Sequence, residues 1–355
     1  MLGPLVVLHE LGHYLVGRWC GVGAEAFSVG FGKELAGFTD KRGTRWKLSM
    51  LPLGGYVQFK GDMNPASIPD PDAPADPDCF QSHPLWQRAL IVAAGPVTNV
   101  IVAVAIFAAF FMAFGRPVAV NPEETNVIQA FTEQSPAQAA GMQVGDRIVA
   151  IDGDATPSFN EVRRAIVLYP DEELQISIER DGERMTIPVT TLSVEEPDAF
   201  GNVSRIGVIG VQGSEIRMEP VGPGEAVVRA FGQCLDIVDM MVTGIGQIIV
   251  GDRSVQEMGG PITIAKYSGE QLSLGPLAFI SFAALISLNL AFINLLPIPA
   301  LDGGHLAFYA VEAVRRKPAS PRSQELAFRT GIAIVLALML FVTIIDIAKL
   351  PIFGS

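Results

Sequence analysis

Apolar residues fall along this chain in long, nearly uncharged blocks: 89–114 (ALIVAAGPVTNVIVAVAIFAAFFMAF), 276–296 (PLAFISFAALISLNLAFINLL) and 330–345 (TGIAIVLALMLFVTII). A helix needs about 20 apolar residues to cross the hydrocarbon core of a bilayer. The first two blocks reach that length outright and the third reaches it with its flanks. A fourth block, Leu2–Cys20, is interrupted by His9, Glu10 and His13. Ionisable groups at bilayer depth are costly and by default mark function. The pattern predicts a polytopic α-helical membrane protein of about four transmembrane helices.

The segments between the blocks follow other periods. Residues 41–60 (KRGTRWKLSMLPLGGYVQFK) alternate apolar and polar positions and predict a membrane-associated β-hairpin beside the first span. Residues 61–79 are rich in Pro and Asp and predict a loop. From 120 to 195 the runs NVIQAFT, DRIVAID, LQISIER and MTIPVTT, with a helix at 160–168, predict a small mixed α/β domain. Residues 225–250 are apolar but carry Arg229, Asp236 and Asp239, which favours an amphipathic helix on the membrane surface over a fifth span. The expected division is a membrane core over 1–114, an outer domain over 115–200, a linker with the amphipathic helix over 201–275, and a second membrane core over 276–355.

Composition agrees with this class, since 49% of the 355 residues are hydrophobic and only 17% are charged. The net charge of −12 is dispersed, and no basic stripe with interleaved aromatics points to nucleic acid. Basic residues favour the cytoplasmic side of spans. Lys33, Lys41, Arg42, Arg45, Lys47, Lys60 and Arg88 therefore place 21–88 inside, and Arg315, Arg316, Lys317 and Arg322 place 297–327 inside. The stretch 115–275 and both termini then lie outside. Cys20 and Cys79 fall on the reducing side and Cys234 on the other, so no native intramolecular disulfide is expected. The N-terminus lacks the basic region and cleavage site of a removable signal peptide. Only eight residues precede His9, about 12 Å of helix, and a start placed inside the natural first span would account for so short a lead.

The chemistry begins with His9-Glu10-Leu11-Gly12-His13, an H-E-x-x-H sequence. On a helix, positions four apart share one face, so both imidazoles can grip one zinc ion with Glu10 beside the attacking water as general base. A catalytic zinc usually takes three protein ligands and keeps one position open. The third must come from another segment at membrane depth. Residues 294–305 (NLLPIPALDGGH) break the third span with two prolines and two glycines, and offer both Asp302 and His305.

These two motifs, in this order and both at membrane depth, resemble the site-2 protease family, in particular its bacterial regulator-of-sigma-E branch. The resemblance extends to Gly95-Pro96 with Asn99, to Gly54-Gly55-Tyr56 at the end of the hairpin, and to Gly259-Gly260-Pro261. It implies that His9, His13 and Asp302 hold Zn2+, that Glu10 is catalytic, and that Asn294 helps to hold substrate. The hairpin residues Gly54, Gly55 and Tyr56 would offer an edge to an unwound substrate. It further implies cleavage of the membrane segments of pre-trimmed single-pass proteins, such as anti-sigma factors and remnant signal peptides, in a bacterial inner (cytoplasmic) membrane.

In the outer region, Ser135-Pro136-Ala137, Ala140-Gly141-Met142, Gly145-Asp146-Arg147-Ile148 and Ile151-Asp152-Gly153 resemble a PDZ domain. Such a domain, here in the periplasm, implies capture of extended peptides or free C-termini. A single module departs from the tandem pair of the enterobacterial proteins. The rival reading is a non-enzymatic peptide sensor whose metal site is structural and closed by His305 as a fourth ligand.

Overall fold

The computed structural model describes the chain except for residues 62–75, 121–124, 198–202, 214, 252–253, 256–258, 318–319 and 349–355. Most of the predicted Pro/Asp-rich loop lies outside the described residues. The chain divides into two compact units, Met1–Phe107 with Gly260–Ile347, and Ala108–Gly259 with the C-terminal residues.

Unit one opens with α1 (Leu2–Cys20), β1 (Ala24–Thr39), β2 (Arg45–Phe59) and α2 (Leu85–Phe114), whose last turns begin unit two. There follow β3 (Arg116–Ala119), β4 (Ala130–Phe131), α3 (Pro136–Ala139), β5 (Arg147–Ile151), β6 (Asp154–Ala155), α4 (Phe159–Val167), β7 (Glu173–Arg180) and β8 (Glu183–Thr190). Unit two ends with β9 (Leu192–Pro197), β10 (Val203–Val208), β11 (Val211–Gln212), β12 (Ile216–Glu219) and α5 (Pro223–Val250). Unit one then resumes with α6 (Pro261–Leu274), α7 (Pro276–Leu295), α8 (Asp302–Arg315) and α9 (Pro321–Ala348).

Among the described residues, four helices are long and apolar enough to cross a membrane: Leu85–Phe114, Pro223–Val250, Pro276–Leu295 and Arg322–Ala348. Three coincide with the apolar blocks of the sequence. The fourth is α5, which by length and composition alone suits a span as well as the expected surface helix. Helix α1 spans Leu2–Cys20, the block interrupted by His9, Glu10 and His13, and those three residues lower its hydropathy.

The β-structure of unit one differs from the hairpin expected over 41–60. The turn sits at residues 40–44, and β1, unanticipated because of its glycines, is the longer arm. The Asp40 carboxylate builds the turn by accepting from the Arg42 and Thr44 N–H groups and from Trp46 Nε1. Residues Phe27 to Val29 of β1 pair with Val57 to Gly55 on one edge and with Trp46 to Leu48 on the other. The two long strands thus fold back into one small sheet. Its inner face packs Phe27, Phe59 and Trp46 against Tyr14 of α1 and Ile91 of α2. Phe27 and Trp46 stack at 4.5 Å.

The C-terminal helices are tied by a long-range cap. Asp346 of α9 is 2% exposed and accepts from the N–H groups of Gly260, Ile262 and Thr263 and from the Thr263 hydroxyl. It satisfies the orphan donors at the start of α6, a role that α6's own N-cap, Gly260, cannot fill.

In unit two, β6-β5-β7-β8 form a four-stranded antiparallel sheet over a core of Ile148, Ile176, Ile178, Val162 and Val189. Residues 203–219, expected as linker, carry β10, β11 and β12, which pair with β9, β4 and β3. Asp146, 1% exposed, binds the Arg180 guanidinium at 2.7 Å through both carboxylate oxygens. Burial alone would raise its carboxyl, but Arg180 and the Gln143 N–H hold it below the usual range.

Asp346→Ala should destabilise unit one by about 1–3 kcal/mol, because three N–H groups lose their acceptor; an unchanged thermal midpoint would contradict the capping role. For Asp146 the depressed value fixes the sign: its contribution is present above the unfolded carboxyl value and fades as pH falls through the folded one. Amide exchange across β5 and β7 should therefore accelerate below about pH 4, and in Asp146→Asn that acid-specific acceleration should vanish.

Candidate active site

Helix α1 carries His9 and His13 one turn apart on its buried face, and both rings are nearly enclosed, at 7% and 9% exposure. Their Nε2 atoms lie 3.1 Å apart. Asp302 Oδ2, from the first residue of α8, lies 3.1 Å from His9 Nε2 and 3.6 Å from His13 Nε2. Among the described residues these three form the one cluster with metal-ligating atoms close enough to share an ion. His305 lines the same cavity but stands outside the cluster.

The far side of each ring decides its protonation. His13 Nδ1 meets the Ile91 carbonyl at 2.9 Å, and a carbonyl only accepts, so Nδ1 carries the proton and Nε2 presents a lone pair. His9 Nδ1 meets the Asn99 side-chain amide at 3.1 Å, while Asn99 Oδ1 is buried without a partner. Turning that amide over lets Oδ1 accept from His9 Nδ1–H and removes the orphan. His9 Nε2 then also presents a lone pair, toward an Asp302 oxygen that is itself buried and accepts no hydrogen bond. Three acceptors facing one another without a donor require a cation. Ligands 2.0–2.1 Å from a tetrahedral zinc lie roughly 3.3 Å apart, close to the separations here.

The backbone leaves room for such an ion. A β-carbon on Gly95 of α2 would lie 2.2 Å from His13 Nε2 and 2.7 Å from His9 Nε2. Only glycine fits there. On the other side, α7 ends at Leu295, Pro297 and Pro299 prevent its continuation, and α8 restarts at Asp302. A β-carbon on Gly303 would lie 2.3 Å from the Leu295 and Leu296 carbonyls, so the new helix starts hard against the end of the old one. Ala300 takes a left-handed conformation (φ 88°), a strained setting for a residue with a side chain. Arg88 of α2 pairs with Glu312 at 2.9 Å and lies over the Tyr309 ring, fixing α8 against α2.

His9, His13, Ile91, Asn99 and Asp302 line a cavity of about 600 Å³ that also includes Glu10, Asn294, Gly54, Gly55 and Tyr56. Every predicted site residue is thus on its lining. Two contributors were not singled out for a role in the sequence, the Ile91 carbonyl and the Asn99 amide. Asn99 carried a signal, being a polar residue in an otherwise apolar helix; a backbone carbonyl carries none. His83 lies elsewhere, bridging the carbonyls of Cys79 and Cys20 at the C-terminal end of α1.

The sequence profile of peptidase family M50 matches residues 1–338. The chain belongs to peptidase family M50. Its relatives include a protein of Agrobacterium fabrum named as a zinc metalloprotease, 42% identical over 99% of this chain and 94% of that protein. Another is the metalloprotease MmpA of Caulobacter vibrioides, 32% identical over 99% of this chain and 95% of its own. The M50 chain is accordingly a multi-pass membrane protein and a zinc metalloprotease, and the sensor alternative falls away.

Gly95→Ala should sharply reduce zinc content while leaving the fold intact, since its methyl enters the space between the imidazoles. Asn99→Ala should weaken zinc binding by about 10–100-fold, the usual cost of losing a residue that orients a ligand. Metal analysis of the purified variants after dialysis against graded chelator tests both, and wild-type retention would refute the arrangement.

Proposed function

We propose that this protein cleaves peptide bonds within the membrane segments of single-pass proteins, using His9, His13 and Asp302 to hold zinc and Glu10 as general acid-base. The observation that carries this reading is the cluster of three acceptor atoms on the wall of a cavity that also holds Glu10. Zinc in such a set acts as a Lewis acid and lowers the pKa of a coordinated water towards 7. Glu10 takes a proton from the attacking water and returns it to the leaving amine nitrogen. The Ile91 carbonyl and the Asn99 amide fix the tautomers that turn Nε2 of His13 and His9 toward Asp302. The fourth direction remains for water and substrate, since His305 stands outside the cluster.

A substrate helix hides its carbonyls in its own hydrogen bonds, so it must unwind before attack. Residues Gly55, Tyr56 and Val57 pair with β1 along one edge, and no other described strand pairs with them. That free edge, beside Glu10, supports pairing with an extended substrate. Asn294 lines the same space and offers an amide to the substrate backbone. Unit two, with its four-stranded sheet and the Ser135-to-Gly153 motifs, is read as a PDZ-like module in the periplasm that captures peptide C-termini or excludes bulky outer domains. The substrates are then proteins already shortened outside the inner membrane, anti-sigma factors and remnant signal peptides among them, in regulated intramembrane proteolysis.

Zinc-loaded protein incubated with a panel of transmembrane peptides should cut some of them, and Glu10→Gln should abolish cutting while keeping its zinc. Asp302→Ala should lose both zinc and activity, whereas His305→Ala should keep the metal. Cleavage by Glu10→Gln at the wild-type rate would dismiss the mechanism, and zinc loss confined to His305→Ala would reassign the third ligand.

A further inference from the structure

A second cavity, of about 1140 Å³, lies wholly within unit two and has no part in the chemistry above. Its walls are the end of α2, the paired strands β3 and β12, the first turn of α4, and one face of α5. Five arginines line it: Arg116, Arg163, Arg164, Arg217 and Arg229. Three of these are answered by acids. Arg116 pairs with Glu219 and Glu225, Arg164 with Asp236 and Glu161, and Arg229 with Glu225. The side chains of Arg163 and Arg217 have no hydrogen bond or ion pair with any described residue.

Other groups on the same wall are uncommitted. Ser158 is the N-cap residue of α4, yet its hydroxyl caps nothing, which leaves the first N–H groups of that helix to the cavity. One oxygen of Glu161, Oε2, is buried and has no partner. The lining therefore presents two spare guanidinium groups and a helix start, which suit a phosphate. It also presents a spare carboxylate oxygen, which suits an ammonium group.

Exposed apolar residues flank the hollow. On β12, Ile216 and Met218 alternate with the cavity-lining Arg217 and Glu219 and are exposed on the strand's other face, as its two-residue period requires. Phe114 at the end of α2, and Val228 and Phe231 on α5, are exposed as well. A polar hollow with an apolar margin at the end of a membrane-spanning helix matches the division between a lipid's headgroup and its acyl chains.

We propose that this cavity holds a phospholipid headgroup bearing a primary amine, with its phosphate on Arg163 and Arg217 and its ammonium on Glu161. The lipid comes from the leaflet at which α2 ends. A headgroup without the amine leaves Glu161 Oε2 unsatisfied, and a quaternary amine has no N–H to give it, so phosphatidylethanolamine is favoured over phosphatidylglycerol and phosphatidylcholine.

Native mass spectrometry of the full chain in detergent, with each of these three lipids or inorganic phosphate added, reads the occupancy directly. Wild type should retain phosphatidylethanolamine in preference to the other two lipids, and inorganic phosphate should not displace it. In Arg163→Gln/Arg217→Gln, retention of all three lipids should fall by at least about tenfold. In Glu161→Gln, the preference for phosphatidylethanolamine should disappear while phosphatidylglycerol binding persists. Equal retention of the three lipids by wild type, a measurement that needs no variant, would overturn the proposal. So would unchanged binding in the double variant. Displacement by inorganic phosphate would assign the cavity to a soluble anion instead.

Discussion

The structure depends on one constraint: two imidazoles and a carboxylate are buried together with their acceptor atoms pointing at one another. Such a buried cluster is costly unless a cation joins it. Much of unit one can be understood as meeting the geometry of that cation. Helix α2 approaches α1 without a side chain at Gly95, and it brings the Ile91 carbonyl and the Asn99 amide behind the two rings. The prolines that end α7 let α8 begin where Asp302 must stand, and the contacts of Arg88 with Glu312 and Tyr309 hold that start in place.

What was legible in the sequence follows the same logic. His9, Glu10 and His13 stood out because they interrupt an apolar block, and chemistry that is costly to bury is easy to notice. The choice between Asp302 and His305 was closed to spacing alone, since both follow the same broken helix and only folding decides which reaches the imidazoles. The hairpin was misjudged because alternation continues through β2 while glycines in β1 weaken its signal, so the turn at Asp40 went unseen. Short strands such as β11 and β12 carry too few residues for any period to show. The capping role of Asp346 was not legible because its partners, the N–H groups at the start of α6, are far away in sequence.

The same economy with polar groups appears outside the metal cluster. Asp346 supplies a cap that α6 lacks, and Asp146 binds Arg180 where a lone buried charge would be unfavourable. Three polar groups of unit two without an answering partner, the Arg163 and Arg217 side chains and Glu161 Oε2, belong to residues that line one hollow. Their shared position, facing one hollow from β12 and α4, gives them a common partner to satisfy.

The break between α7 and α8 has a consequence for how the enzyme comes into being. His9 and His13 lie on α1, and Asp302 follows in the chain only after unit two and α7. A chain halted before residue 302 holds an incomplete set, with Glu10 already in place but no carboxylate to complete the grip on the ion. The order of residues along the chain therefore leaves this cluster open until nearly all of its surroundings have been made.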